Sequence, residues 1–218
     1  MGIVCGDVDG APGNFQSAGA VHAGVLEKIM PDWNQHYLSR EVADQTPADV
    51  LLLNQHLLPS QGSVLDYASG LAGNGCWLAH RGYRVTAWDN SEIAVAKVNR
   101  YAEQYGLALQ AEQHDLEQHS PPPRQFDLVL VSFFLHRPTL NQLQHYIAPG
   151  GLLFYQTFCG ERIDERGPSN PDFRLQPGEL LRSFDQLQPV YYREDGQLGD
   201  TDAGIRGQSL LVAHKPRS

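Results

Sequence analysis

The run Ser63-Val64-Leu65-Asp66-Tyr67-Ala68-Ser69-Gly70-Leu71-Ala72-Gly73-Asn74-Gly75, answered downstream by Asp89, constrains this chain more than any other feature. An apolar stretch closes on an acid, a turn of small residues follows, and a helix is predicted through Trp77, Leu78 and Ala79. Tyr83 to Trp88 then reads as a second strand ending on Asp89. A turn built of glycine, alanine and serine lets a ligand approach the backbone closely. An acid closing the next strand suits the two hydroxyls of a ribose. The pattern predicts a nucleoside-containing cofactor across the carboxyl ends of parallel strands. It leaves open which one, because Ala68-x-Gly70-x-x-Gly73 is also a dinucleotide fingerprint with its first glycine replaced. On that pattern alone an NAD(P)-dependent oxidoreductase remains an alternative.

The rest of the chain alternates in the same way. Asp32 to Val42 is helical or a loop. Thr46-Pro47-Ala48-Asp49 predicts a helix start with Thr46 as cap and Pro47 in the first position, with Val50, Leu53, Leu57 and Leu58 on one face. Ser91 to Tyr105 reads as a helix capped by Ser91, and Leu107 to His114 as a third strand that closes on Asp115. Ser120-Pro121-Pro122-Pro123 is a loop. Phe126 to Phe133 is nearly all apolar, as a central parallel strand buried on both faces requires. A short helix over Leu140 to Ile147 leads through Pro149-Gly150-Gly151 into a fifth strand, Leu152 to Phe158. Cys159 to Leu175 has no period and is long for a connection, which makes it a candidate functional loop. A helix at Pro177 to Phe184 and strands at Val190 to Arg193 and Ser209 to His214 follow. The expectation is one doubly wound α/β domain over residues 30–218, with residues 1–29 as a flexible, Gly- and Ala-rich extension.

Of the 218 residues, 16 are Lys or Arg and 25 are Asp or Glu, for a formal net charge of −9. That balance argues against a nucleic-acid surface, which needs a basic stripe to displace counterions. Arg162, Arg166, Arg174 and Arg182 form a local basic cluster, but acids neighbour them. Cys5, Cys76 and Cys159 fit neither a disulfide framework nor a zinc site, and the histidines lack ligand spacing, so no metal is expected. No apolar run reaches the roughly 20 residues that span a bilayer, and residues 1–25 lack the form of a secretory signal. The cytoplasm is the expected compartment, with the protein a monomer or homodimer.

Further features separate the cofactors. Asp66 closes the first strand where an acid would meet an ammonium rather than a pyrophosphate, and Asp115-Leu116-Glu117 places a carboxylate near an exocyclic adenine amine. With Leu65 to Gly70, Asn74, Leu135-His136-Arg137, Tyr155-Gln156-Thr157-Phe158, Asn170-Pro171-Asp172-Phe173 and Pro177 to Leu181, the chain resembles the class I S-adenosylmethionine-dependent methyltransferases. Its nearest likeness is the tellurite-resistance methyltransferase group, over roughly Trp33 to Pro216. The resemblance implies a Rossmann-like, seven-stranded, mostly parallel sheet with helices on both faces and Ser209 to His214 as the antiparallel last strand. It implies S-adenosylmethionine as methyl donor and S-adenosylhomocysteine as product. The donor would be held by Asp66, Ala68, Ser69, Gly70, Asn74, Asp89, Asn90, Asp115, Leu116 and Ser132.

On the acceptor side, His136 follows strand four where the methyl should emerge, and histidine as a residue type suits a general base. Tyr37, Arg137 and Arg174 are further acceptor-side candidates. Trp33 and Tyr37 serve either as lids over the cofactor or as staples on the sheet. The expected acceptor is a small molecule such as a thiol or a chalcogen oxyanion. Where the family usually has glycine this chain has Ala68 and Ala72, and where it often has arginine it has Gly73. Ala72 either tightens the site or, if the turn needs a positive φ, weakens donor binding. These departures motivate the alternative of a non-catalytic cofactor-binding protein.

Overall fold

The structure, a computed structural model, describes residues 32–118, 121, 123–163 and 165–217. The expected extension over residues 1–29 lies outside them, as do Ser120 and Pro122 of the Ser120 to Pro123 loop. In chain order the described elements are α1 (Trp33–Leu38), α2 (Asp49–Leu53), β1 (Ser63–Tyr67), α3 (Gly73–Ala79), β2 (Arg84–Asp89), α4 (Glu92–Tyr105) and β3 (Leu109–Gln113). There follow β4 (Phe126–Ser132), α5 (Arg137–Leu140), β5 (Ile147–Phe158), α6 (Glu179–Ser183), β6 (Gln188–Arg193) and β7 (Gln208–His214). The seven strands form one sheet in the order β3-β2-β1-β4-β5-β7-β6. β1 pairs in parallel with both β2 and β4, so the strand order reverses beside it. That reversal is where ligands bind in open α/β sheets. β7 runs antiparallel to β5 and to β6.

Alternation along each strand splits the core into two layers. Val64, Val85, Leu128, Leu130 and Phe154 face one side, with Leu78 of α3 and Val98 of α4. Leu65, Tyr67, Trp88, Val129, Val131 and Tyr155 face the other, with Leu140, Leu143 and Leu180. This double burial explains why β4 reads as an unbroken apolar run. Ser91 caps α4 as its sequence predicts, accepting a hydrogen bond from Ala94 N at 3.2 Å. Gly106, at φ 60°, ends that helix.

Besides β5, which starts at Ile147 rather than at the expected Leu152, three local expectations differ. Thr46 is not a cap: Ala48 occupies the N-cap of α2, with no side-chain cap bond. α2 stops at Leu53, so Leu57 and Leu58 do not continue its face. Asn54 turns its amide back onto Val50 O (3.0 Å) and a short 3₁₀ segment, Gln55–Leu57, follows. The helix expected at Leu140 to Ile147 begins instead at Arg137 and continues as 3₁₀ turns over Asn141–Tyr146, the tighter winding common in short connectors.

Candidate functional site

β1 delivers Asp66 to the upper edge of the sheet, and the small-residue turn follows at once. Ala68, Gly70 and Ala72 lie in the left-handed region at φ 54°, 53° and 53°. The turn thus demands positive φ at two alanines, a conformation that costs roughly 1–2 kcal/mol wherever a Cβ is present. Ser69 N donates to Trp88 O at 2.9 Å, and Ala72 N to Ser69 O at 2.8 Å. Gly70 N donates to Asp89 Oδ2 at 2.7 Å, and Ser91 N to Asp89 Oδ1 at 2.9 Å. Asp89 therefore closes an Asx-type turn while it clamps the glycine turn, and each oxygen keeps a lone pair for another donor. Burial pushes the Asp89 carboxyl above its ordinary range, against those backbone bonds.

Asp66 is 1% exposed. Its Oδ2 accepts from Gly75 N at 2.8 Å, whereas Oδ1 makes no hydrogen bond. Burial pushes this carboxyl up to about 7; the Gly75 bond and the nearby Asn74 amide oppose the shift, and the charge of Asp89 adds to it. A buried carboxylate with one bare oxygen is expensive unless a cation meets it. The ammonium of a bound amino acid moiety would supply one, so these residues fit the methionine end of the donor. Gly75 was not singled out from sequence, yet a Cβ there would lie 3.1 Å from Asp66 Oδ2.

Tyr37 stands over this turn. A Cβ built on Gly70 would lie 2.6 Å from its hydroxyl. Burial, followed by the charge of Asp89, raises the Tyr37 phenol above its ordinary value. α1 is held there at both ends: Asn34 Oδ1 accepts from Ser91 Oγ (2.7 Å), and Lys97 Nζ donates to the carbonyls of Leu38 (3.0 Å) and Arg40 (2.5 Å). Trp33 stacks on Tyr37 with ring centroids 6.2 Å apart and stays 38% exposed.

The segment before α2 crosses the start of α3. A Cβ at residue 73 would lie 2.8 Å from Thr46 O and 3.1 Å from Gln45 Cβ. The crossing thus leaves little room for a side chain at residue 73, which is glycine. Asn74 joins three parts of the site: its Oδ1 accepts from Ala48 N (2.8 Å), and its Nδ2 donates to Ser132 Oγ (2.9 Å) at the end of β4. Farther along the sheet edge, Asp115 Oδ1 accepts from the N–H groups of Glu117 and Gln118, both at 3.1 Å. Leu116 is buried in the layer that contains Trp88. Asn90 is exposed, and its carbonyl accepts from Gln113 Nε2 at 3.0 Å.

Past β4, His136 Nδ1 lies 2.9 Å from Thr139 Oγ1, whose hydroxyl is 3.3 Å from His136 O. With that hydroxyl donating to the carbonyl, Nδ1–H is the donor to Oγ1 and Nε2 keeps its lone pair. The two arginines expected near an acceptor are engaged by groups of the protein. Arg137 forks onto both Glu179 oxygens at 2.7 and 2.9 Å and reaches the Arg174 carbonyl at 2.7 Å. Arg174 is 3% exposed and donates to the carbonyls of Gly160, Cys159, Glu161 and Gly207. The Cys159 to Leu175 connection is thereby pinned to the end of β5, where Leu175 N also bonds Phe158 O at 2.8 Å. A guanidinium's neighbours cannot be read from linear spacing, which is why both arginines looked available. Among the described residues, no group of three or more His, Cys, Asp or Glu side chains could hold a metal ion, and no helix is long and apolar enough to cross a membrane.

Residues 64–151 match the sequence profile of a family described as "Methyltransferase domain", a span that includes Asp66, Asp89, Asp115 and His136. No curated protein matches the chain. Among solved structures, TehB from Haemophilus influenzae is similar with a TM-score of 0.63 at 20% identity, covering 84% of this chain and 67% of that one. Geranyl diphosphate methyltransferase in complex with GPP and sinefungin gives 0.60 at 15% identity, over 77% of each chain. Coclaurine N-methyltransferase bound to N-methylheliamine and SAH gives 0.54 at 19%, over 66% of this chain and 48% of that one. At these identities the likeness is one of fold.

Proposed function

We infer that this chain is a class I S-adenosylmethionine-dependent methyltransferase and that it methylates a small-molecule acceptor held above the ends of β4 and β5. The bare Oδ1 of Asp66 beside the glycine turn carries the donor reading. In that reading Asp66 binds the donor's ammonium, with Ala68, Ser69 and Gly70 presenting backbone around it. Asp89 accepts the ribose hydroxyls on its second lone pairs. Asp115 accepts from the adenine amine beside Leu116, with Asn90 at the ribose edge, and Asn74 and Ser132 fix the floor under the methionine chain. A small-molecule acceptor is supported by the net charge of −9, which repels polyanions. It is supported also by the small-molecule ligands named for the coclaurine and geranyl diphosphate enzymes.

S-adenosylmethionine supplies a methyl carbon already activated by its sulfonium charge. The protein's task is alignment and water exclusion, and good orientation alone is worth roughly 7–11 kcal/mol. The bound donor would supply its methyl carbon to the acceptor's lone pair, the electron pair of the methyl–sulfonium bond returning to sulfur. An acceptor that carries a proton passes it to His136 Nε2, whose lone pair the Nδ1–Thr139 contact preserves. A thiolate needs no such base.

Calorimetry with S-adenosylhomocysteine and with NADH tests the donor reading. Binding of the former, weakened about 10–100-fold in Asp89→Ala by loss of two charge-assisted hydrogen bonds, is the expected result. Binding of NADH alone would overturn it. Radiolabelled methyl transfer from donor in a lysate should appear in the small-molecule fraction; label found only on protein or RNA would end the acceptor assignment.

A further inference from the structure

Phe133 is the most conspicuous outlier near the site. It follows Ser132 at the end of β4, and its φ of 56° puts a bulky aromatic in the left-handed region, where such residues are rare. Nothing about chain reversal requires a phenylalanine there; glycine or asparagine would meet the same backbone more easily. Its ring is not hidden in exchange, since Phe133 is 51% exposed. The backbone is fixed from beneath, with Phe133 N donating to Gln156 O at 2.8 Å. The ring lies against that of Phe158, at the end of β5, with centroids 5.3 Å apart and planes at 41°. Phe158 is itself partly exposed and has the Arg174 guanidinium 5.4 Å from its ring centroid. Two adjacent strand ends therefore present a tilted pair of aromatic rings one residue beyond the Ser132 contact to Asn74.

We propose that Phe133 and Phe158 form the platform on which the methyl acceptor lies, and that the acceptor carries a flat aromatic or conjugated body rather than being a bare oxyanion. This rests on the methyl-donor reading and narrows its acceptor. A strained and exposed aromatic ring costs stability in the free protein, and stacking with a ligand recovers that cost. An oxyanion would instead call for cationic or N–H donors. Arg137 is spent on Glu179, and Arg174 on four carbonyls.

The test uses the full chain saturated with S-adenosylhomocysteine and titrated calorimetrically with 2-naphthalenethiol, 2-mercaptoethanol and selenite. The two thiols share a nucleophile and differ in body. Binding of the naphthalene thiol about tenfold tighter than of the other two is expected, with a loss of about tenfold in Phe133→Gly and retention in Phe133→Tyr. The glycine suits φ 56°, so Phe133→Gly should keep its fold and its affinity for S-adenosylhomocysteine within about twofold. Equal binding of the two thiols, selenite as the best ligand, or undiminished binding by Phe133→Gly would each overturn the platform. Failure of S-adenosylhomocysteine to bind the unaltered protein would remove the donor reading beneath it, and is seen separately.

Discussion

Replacing Asp66 by asparagine separates what the residue does for folding from what it does for the donor. The carboxyl titrates at about 7 in the folded chain, raised by burial from 3.8. Between those values the folded chain holds a proton that the unfolded chain releases, so stability falls as pH rises across this window and is level above it. At 1.36 kcal/mol per pKa unit the full cost of ionising Asp66 is about 4 kcal/mol, of which about 3 kcal/mol accrues between pH 5 and 7. Asp66→Asn keeps an oxygen for Gly75 N and does not titrate. Its amide meets the same surroundings at every pH, so any packing penalty is a constant offset. Urea unfolding of both proteins without donor at pH 5, 6.5 and 8 should therefore show the variant gaining about 3 kcal/mol on wild type from the first pH to the last. For a domain of this size the thermal midpoints should shift relative to each other by about 5–11 °C. The donor should respond oppositely. Affinity of wild type for S-adenosylhomocysteine should rise up to about tenfold per unit toward pH 7 and then level, while the variant binds weakly throughout. A stability gap that does not change with pH would refute the buried-charge account of Asp66.

Three further outcomes follow, two from the backbone and one from an arginine. Gly73→Ala places a Cβ 2.8 Å from the Thr46 carbonyl and should lose about 1–3 kcal/mol by overpacking, whereas Ala68→Gly, at φ 54°, should gain about 0.5–1 kcal/mol; paired thermal melts check both, and equal midpoints would contradict the crossing. Arg137→Ala breaks a fork onto Glu179, whose carboxyl burial tends to raise and the Arg137 bonds hold below its ordinary value. The Arg137 side chain is 38% exposed, so the loss, discounted for solvent, should be about 1–2 kcal/mol at pH 7. That loss should shrink as pH falls through the carboxylate range, where Glu179 gains its proton with or without the arginine.

The parts of the fold that were legible in the chain are those governed by local chemistry. β4 reads from its apolar run because both its faces are covered, and α4 reads from Ser91 and Gly106 because a cap and a left-handed stop are properties of single residues. The acids closing β1 and β2 were legible for the same reason, although the bare oxygen of Asp66 was not, since it depends on which donors the fold brings near. Thr46 failed as a cap because the Ala48 amide is bound by Asn74, far along the chain, and that contact decides where α2 begins. The position of Tyr37 over Gly70 was not legible, because α1 docks through Asn34 onto Ser91. The positive φ of Phe133 has no local signature at all. It is a product of how β4 leaves the sheet beside β5.

The order in which the sheet closes has a consequence for how the molecule is made. Among the described residues β6 pairs with no strand but β7, and β7 also covers the edge of β5. On the ribosome, then, β1 to β5 can assemble as they emerge, but β6 must wait without a hydrogen-bonding partner until β7 follows it out. During that interval β5 offers a bare, apolar edge, the kind of surface that invites pairing with another chain. Inserting β7 seals that edge and gives β6 its place in one event. Substitutions in β7 are therefore expected to affect yield and aggregation during synthesis more than the properties of the finished protein.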